Sequence, residues 1–173
     1  MRRISILLIG LLLLAATLPS VVSGNAVPDI VFSDAWFGDL ETKIETAPGD
    51  RNVQLVVELI NGMDEPIRYV EGTLYLPEGF KDAKTGGSVT APSVSMQVQP
   101  GQRFYLTFLL NVAEDVEIGE HEASLALRYV EWDEDTYTIT HVKIRFRVTG
   151  RSILKPELNI EELEPGKPEA LQL

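Results

Sequence analysis

Two histidines, one Gly-Gly-Ser triplet and two acidic runs are the residues whose types and spacing could do chemistry. His121-Glu122 would pair a metal ligand with a general base. A zinc-protease helix needs a second histidine four places on, and Leu125 stands there. His141 is the other histidine. If a turn at Trp132–Asp135 joins the last two strands, His141 faces Ala126 and His121 faces Phe146. The two are then far apart along the ladder and share no metal. Gly86-Gly87-Ser88 lacks the glycine two places after the serine that a nucleophile elbow requires. Asp133-Glu134-Asp135 and Glu114-Asp115-Glu117 match no calcium loop, because that ion takes six to eight convergent oxygens around a glycine turn. Both runs read as solvated acidic surface. No catalytic residue, no metal ligand and no cofactor is therefore expected.

Contact chemistry offers more. Trp132 falls at the tip between two predicted strands, where packing is thin, and aromatics at such tips anchor contacts. If strands alternate up and down, the loops Asn61–Pro66, Gln99–Gln102 and Trp132–Asp135 gather at one pole. Met63, Trp132, Asp133, Glu134 and Asp135 then form a candidate partner contact there. The loops Ala47–Arg51, Pro77–Pro92 and Ala113–Glu120 gather at the other pole. A carbohydrate platform would need Trp132 together with Tyr75 or Tyr105. Leu158, Ile160 and Leu163 form a partly alternating strand that could add to the open edge of another copy.

The elements that must position these residues read in period 2, the spacing of half-buried strands. Val53, Leu55, Val57 and Leu59 alternate with Gln54 and Glu58. Phe104, Leu106, Phe108, Leu110 and Val112 form one face, and Ala123, Leu125, Leu127 and Tyr129 another. Val70, Gly72, Leu74 and Leu76 share a side, as do Val94, Met96 and Val98. Ile30–Phe37 is short and apolar, with Trp36 and Phe37 expected in the core. In Tyr137–Val148 the parity flips between Ile139 and Val142, which predicts a β-bulge near Thr140-His141. Turns at Pro48-Gly49, Asn61-Gly62, Pro77-Glu78-Gly79 and Pro100-Gly101 separate the runs. No stretch forms a convincing amphipathic helix. Seven such strands predict an all-β, immunoglobulin-like antiparallel β-sandwich over 25–150, with a barrel as the alternative.

The flanks differ from this body. Met1-Arg2-Arg3 is a cationic head, Ile4 to Leu18 is nearly all apolar, and small or helix-breaking residues run from Pro19 to Gly24. That order is a secretory signal peptide over 1–24, too short before Pro19 to span a membrane comfortably. Export follows whether the signal is cleaved or retained, with the body extracellular or at the cell surface. The membrane is a partner only through that signal, if it stays uncleaved. Residues 151–173 read as a linker and the start of a second similar domain. Each time, at Pro48-Gly49, Pro100-Gly101 and Pro165-Gly166, a Pro-Gly turn opens an alternating strand.

Composition narrows the classes further. Against 15 Lys+Arg stand 26 Asp+Glu, a net charge of −11, which argues against nucleic acid as a partner. The absence of cysteine excludes disulfides, thiolate metal sites, a Cys nucleophile and a lipoprotein anchor. An exported chain without cysteine fits a bacterium or archaeon.

Four segments carry a family resemblance. They are Pro48-Gly49-Asp50 leading into Val53–Asn61, then Gly72–Phe80, then Pro100-Gly101-Gln102 leading into Phe104–Phe108, and Ile118-Gly119-Glu120-His121 leading into Leu125–Tyr129. Over about residues 45 to 150 the chain resembles archaeal S-layer-like repeat proteins and the related bacterial cell-adhesion and alpha-galactosidase-associated immunoglobulin-like domains. The resemblance implies a cell-envelope module, often in tandem copies, with no functional residues to carry over. Its expected partners are other envelope proteins or further copies of the same domain. The function expected is a non-catalytic structural or interaction module, with a carbohydrate- or calcium-binding module as the alternative.

Overall fold

The structure, a computed structural model, describes residues 29–150. The expected signal segment 1–24 and the tail with Leu158, Ile160 and Leu163 lie outside the described residues. Among the described residues, eight strands run in order: β1 (Ile30–Phe37), β2 (Val53–Asn61), β3 (Ile67–Tyr75), β4 (Phe80–Asp82), β5 (Ser93–Val98), β6 (Arg103–Val112), β7 (Gly119–Glu131) and β8 (Thr138–Val148). They form two antiparallel sheets, β1-β2-β6-β4 and β5-β3-β7-β8. The sandwich expected from the alternating pattern is the fold. It has one strand more than the seven expected, because β4 is three residues long and too short to show a period.

The period-2 residues meet between the sheets. Leu55, Val57, Leu59, Leu106, Leu110, Leu125 and Leu127 are wholly buried there. Gly72 of β3 faces the same core. A Cβ on it would come within 2.4 Å of Leu106 Cδ1, so only glycine lets the facing leucine approach so closely.

The two poles assemble as the alternation requires. At one, the buried Asn61 ties three segments. Its Nδ2 donates to the carbonyls of Glu65 (3.0 Å) and Val98 (3.3 Å), and its backbone pairs with Gln102 and Gly101. Trp132 N–H donates to the Pro66 carbonyl and Arg68 to the Glu134 carbonyl, which brings the last hairpin to the same pole. At the other pole, Gly49 N–H donates to Ala113 and Ala113 N–H to Gly79.

Three expectations of side-chain direction fail, each for a backbone reason. The bulge near Thr140-His141 is absent: β7 and β8 stay in continuous register from Gly119↔Val148 to Tyr129↔Thr138. Ile139 therefore points outward with the polar parity, and Tyr137 just ahead of the strand is also exposed. In β5, Gln97 adopts a left-handed conformation (φ 57°), which turns the strand over. Val98 enters the core, while Met96 and Val94 face solvent. In β1, Phe37 is core but Trp36 lies on the outer side, opposite Val56.

Candidate interaction face

The three reversals have one consequence: they raise apolar groups on the outer sides of the sheets. Ladder pairs align Val94, Glu71, Arg128 and Ile139 in one row across β5, β3, β7 and β8. The next row holds Met96, Tyr69 and Val130, with Tyr137 at its end. The row on the other side holds Thr73, Ala126 and His141, which are small or flat. Met96 is 65% exposed, Ile139 60%, Tyr137 58% and Val94 48%, so apolar groups at both edges of the β5-β3-β7-β8 sheet face water, joined into a strip by the partly covered Tyr69 and Val130 between them. A largest apolar patch of a few hundred Å² is ordinary on a domain surface and is often functional.

A polar seam runs through the strip. Tyr69 Oη donates to Glu71 Oε2 at 2.6 Å, and Arg128 Nη2 pairs with the same oxygen at 3.1 Å. The Arg128 guanidinium lies over the Tyr137 ring, 5.2 Å from its centre. The Tyr69 hydroxyl and then Arg128 hold the Glu71 carboxyl below its usual range. The same bond raises the Tyr69 hydroxyl. The seam is therefore a fixed pair of opposite charges, acid on β3 and base on β7.

The opposite outer face is finished differently. Trp36 and Tyr105 meet edge to face at 6.2 Å, and Val56, on the same side of β2 opposite Trp36, is fully buried. Lys43 Nζ sits 4.6 Å over the Trp36 ring and pairs with Asp34 at 2.7 Å. Glu58, also buried, takes a hydrogen bond from Ser33 at 2.6 Å and an ion pair from Arg103 at 3.1 Å.

The residues singled out in the sequence fall as follows. Trp132 is half-exposed at the pole, Met63 is partly buried against the core, and Asp133, Glu134 and Asp135 are exposed in the turn. Hydrogen-bonded loops place all five at the pole adjoining the Met96–Tyr137 end of the strip. Tyr75 lies at the far end of β3 and Tyr105 on the other sheet, so neither joins Trp132 in one platform. His121 faces Phe146 and His141 faces Ala126, as the register argument required. His121 packs on Phe80 at 5.0 Å, and its Nε2 lies 2.9 Å from the Glu117 carbonyl.

Alternation alone groups Val94, Met96, Tyr137 and Ile139 with core residues, and nothing in the sequence marks Glu71 and Arg128 as a surface pair. The signal was present in the parity flip of Tyr137 and Ile139. It marks apolar groups on the solvent side rather than an inserted residue.

Catalytic geometry does not emerge among the described residues. No group of three or more His, Asp or Glu side chains could hold a metal ion there. Asp82 lines a shallow groove with Gln54, Lys84 and Thr107. Burial pushes its carboxyl up, but N–H and O–H donors from Thr85, with Lys84 and Ala91, outweigh that and hold it below the usual range. Glu71, Asp82 and Glu122 are all displaced downward. A general acid needs the opposite displacement.

No family model matches the chain, and no curated protein matches it. Solved structures resemble it at low identity. The C-terminal domain of wzt is 16% identical, with a TM-score of 0.40, covering 73% of this chain and 77% of that one. The seventh ScaB type I cohesin from Pseudobacteroides cellulosolvens is 12% identical, with a TM-score of 0.36, covering 70% and 95%. A PapD-like domain of human CEP192 is 12% identical, with a TM-score of 0.34, covering 76% and 97%. Likenesses this distant carry no functional argument.

Proposed function

We propose that this chain is a non-catalytic, exported interaction module of the cell envelope, of the S-layer-like or adhesion-like kind. It acts as a spacer or accessory unit that docks through the outer side of β5-β3-β7-β8. The apolar strip from Met96 to Ile139 carries this reading. Export rests on the Arg2-Arg3 head and the apolar run behind it. Among the described residues, none of the three carboxyls with a displaced pKa is raised as a general acid would need.

The test is a photo-crosslinking residue placed at Ile139, or at Thr107 on the opposite sheet, in cells producing the full chain. Fractionation and surface protease treatment should find the chain outside the cytoplasm. Ile139 should give discrete protein adducts and Thr107 none. Equal labelling from both positions, or none from either, would refute the assignment of the face. A chain confined to the cytoplasm would refute the envelope reading.

A further inference from the structure

We infer that the partner of this face is a second copy of the same chain, packed sheet to sheet about a two-fold axis. The inference rests on reading the outer side of β5-β3-β7-β8 as the contact surface, and adds who occupies it. The observation behind it is the order of groups across the strip. From β5 to β8 they run apolar, acidic, basic, apolar: Val94, Glu71, Arg128, Ile139. That order is antisymmetric about the line between β3 and β7.

A two-fold axis laid along that line turns one sheet over onto its copy. It sets β3 against the copy's β7, and β5 against the copy's β8. Glu71 then faces Arg128 of the other copy, and Arg128 faces its Glu71. Val94 meets Ile139, and Met96 meets Tyr137, each twice. An isologous contact requires this self-complementarity. The seam lies at the axis, where twisted sheets packed at about −30° stay in closest contact. Thr73 and Ala126 beside it are small enough to let the sheets come within about 10 Å.

Charge selects this face for that occupant. The chain carries −11 overall, so two copies repel across most surfaces. The strip holds one acid and one base and is locally neutral. The Tyr69–Glu71–Arg128 bonds also keep both charges satisfied before and after docking. Strand spacing gives the three rows roughly 400 Å² per copy. That is about half of a standard interface, so the dimer is a weak one.

Charge reversal separates contacts between copies from contacts within one. Glu71→Arg leaves a chain with two arginines on the seam, and Arg128→Glu leaves one with two glutamates. Each alone would place like charges across the axis. Mixed together, they would restore both pairs in a heterodimer.

Sedimentation equilibrium of the purified chain from 10 µM to 1 mM would read this directly. The unaltered chain should show a monomer–dimer equilibrium. Each single variant should lose it by at least tenfold in affinity, and the equimolar mixture should regain it. Ile139→Glu gives a second, chemically different block, and the circular dichroism of every variant should match the parent. A parent that stays monomeric to 1 mM would overturn the inference. So would dimers that persist in both single variants, or a mixture that fails to recover. A monomeric parent whose Ile139 still crosslinks to another envelope protein would overturn the self-association alone and leave the contact face standing.

Discussion

The two outer faces of the sandwich carry similar kinds of side chain and end in opposite states. On β1-β2-β6-β4, Trp36, Tyr105 and Val56 close over one another, and Glu58 is held by Ser33 and Arg103. On β5-β3-β7-β8, Met96, Val94, Tyr137 and Ile139 lie open around a charged seam. What separates them is how far each face covers its own apolar groups: Val56 is wholly buried and Tyr105 37% exposed, whereas Met96 and Ile139 are 60% exposed or more. The closed face contributes to stability. The exposed apolar groups of the open face contribute little to it and gain only when another surface covers them.

Substitutions should break this contrast in a graded way. Trp36→Ala uncovers Val56 and removes the contact with Tyr105. It should cost about 2 kcal/mol in denaturant unfolding and leave self-association unchanged. In the core shared by both faces, Gly72→Ala forces Leu106 aside and should cost about 1–3 kcal/mol, again with association intact in the folded protein. Arg103→Ala leaves the buried Glu58 with Ser33 as its remaining side-chain donor, and should cost about 1 kcal/mol. Ile139→Thr on the open face should shift stability by less than about 0.5 kcal/mol yet weaken association severalfold. A stability loss at Ile139 as large as that at Trp36 would erase the distinction between the faces.

Two titrations sharpen the picture. Burial, and then the bond to Asp29, push the Tyr129 hydroxyl up to about 12 from an ordinary value of 10. A group whose folded value is raised stabilises fully below its unfolded value and loses that contribution as pH climbs through the folded one. Stability should therefore fall between about pH 10 and 12, and Tyr129→Phe should flatten that fall. Glu71 is displaced downward, so its contribution is present above the unfolded carboxylate value and lost as pH drops through the lower folded one. Glu71→Gln should blunt the acid loss in the same unfolding measurement.

The sandwich was legible because seven runs alternate in period 2, and the β7–β8 register could be placed to the residue from one turn. Strand β4 was not legible, since Phe80-Lys81-Asp82 shows no period and forms by pairing with distant Leu110–Val112. The poles followed from counting strands. The open face did not, because its residues were read as core. Alternation tells which residues share a side but not which side is wet. That is decided by backbone turns such as Gln97 at φ 57°, and by which outer groups find neighbours across strands. Trp36 shows the same limit: nothing local to Ala35-Trp36-Phe37 tells that Phe37 enters the core and Trp36 covers Val56.

The contrast between the faces is tested most directly by residue-resolved oxidative footprinting of the purified chain at 10 µM and at 1 mM. Modification rates at Met96 and Tyr137 should fall severalfold at the higher concentration, while Trp36 and Tyr105 should keep theirs. Equal change on both faces, or protection at Trp36 and Tyr105 alone, would contradict the account.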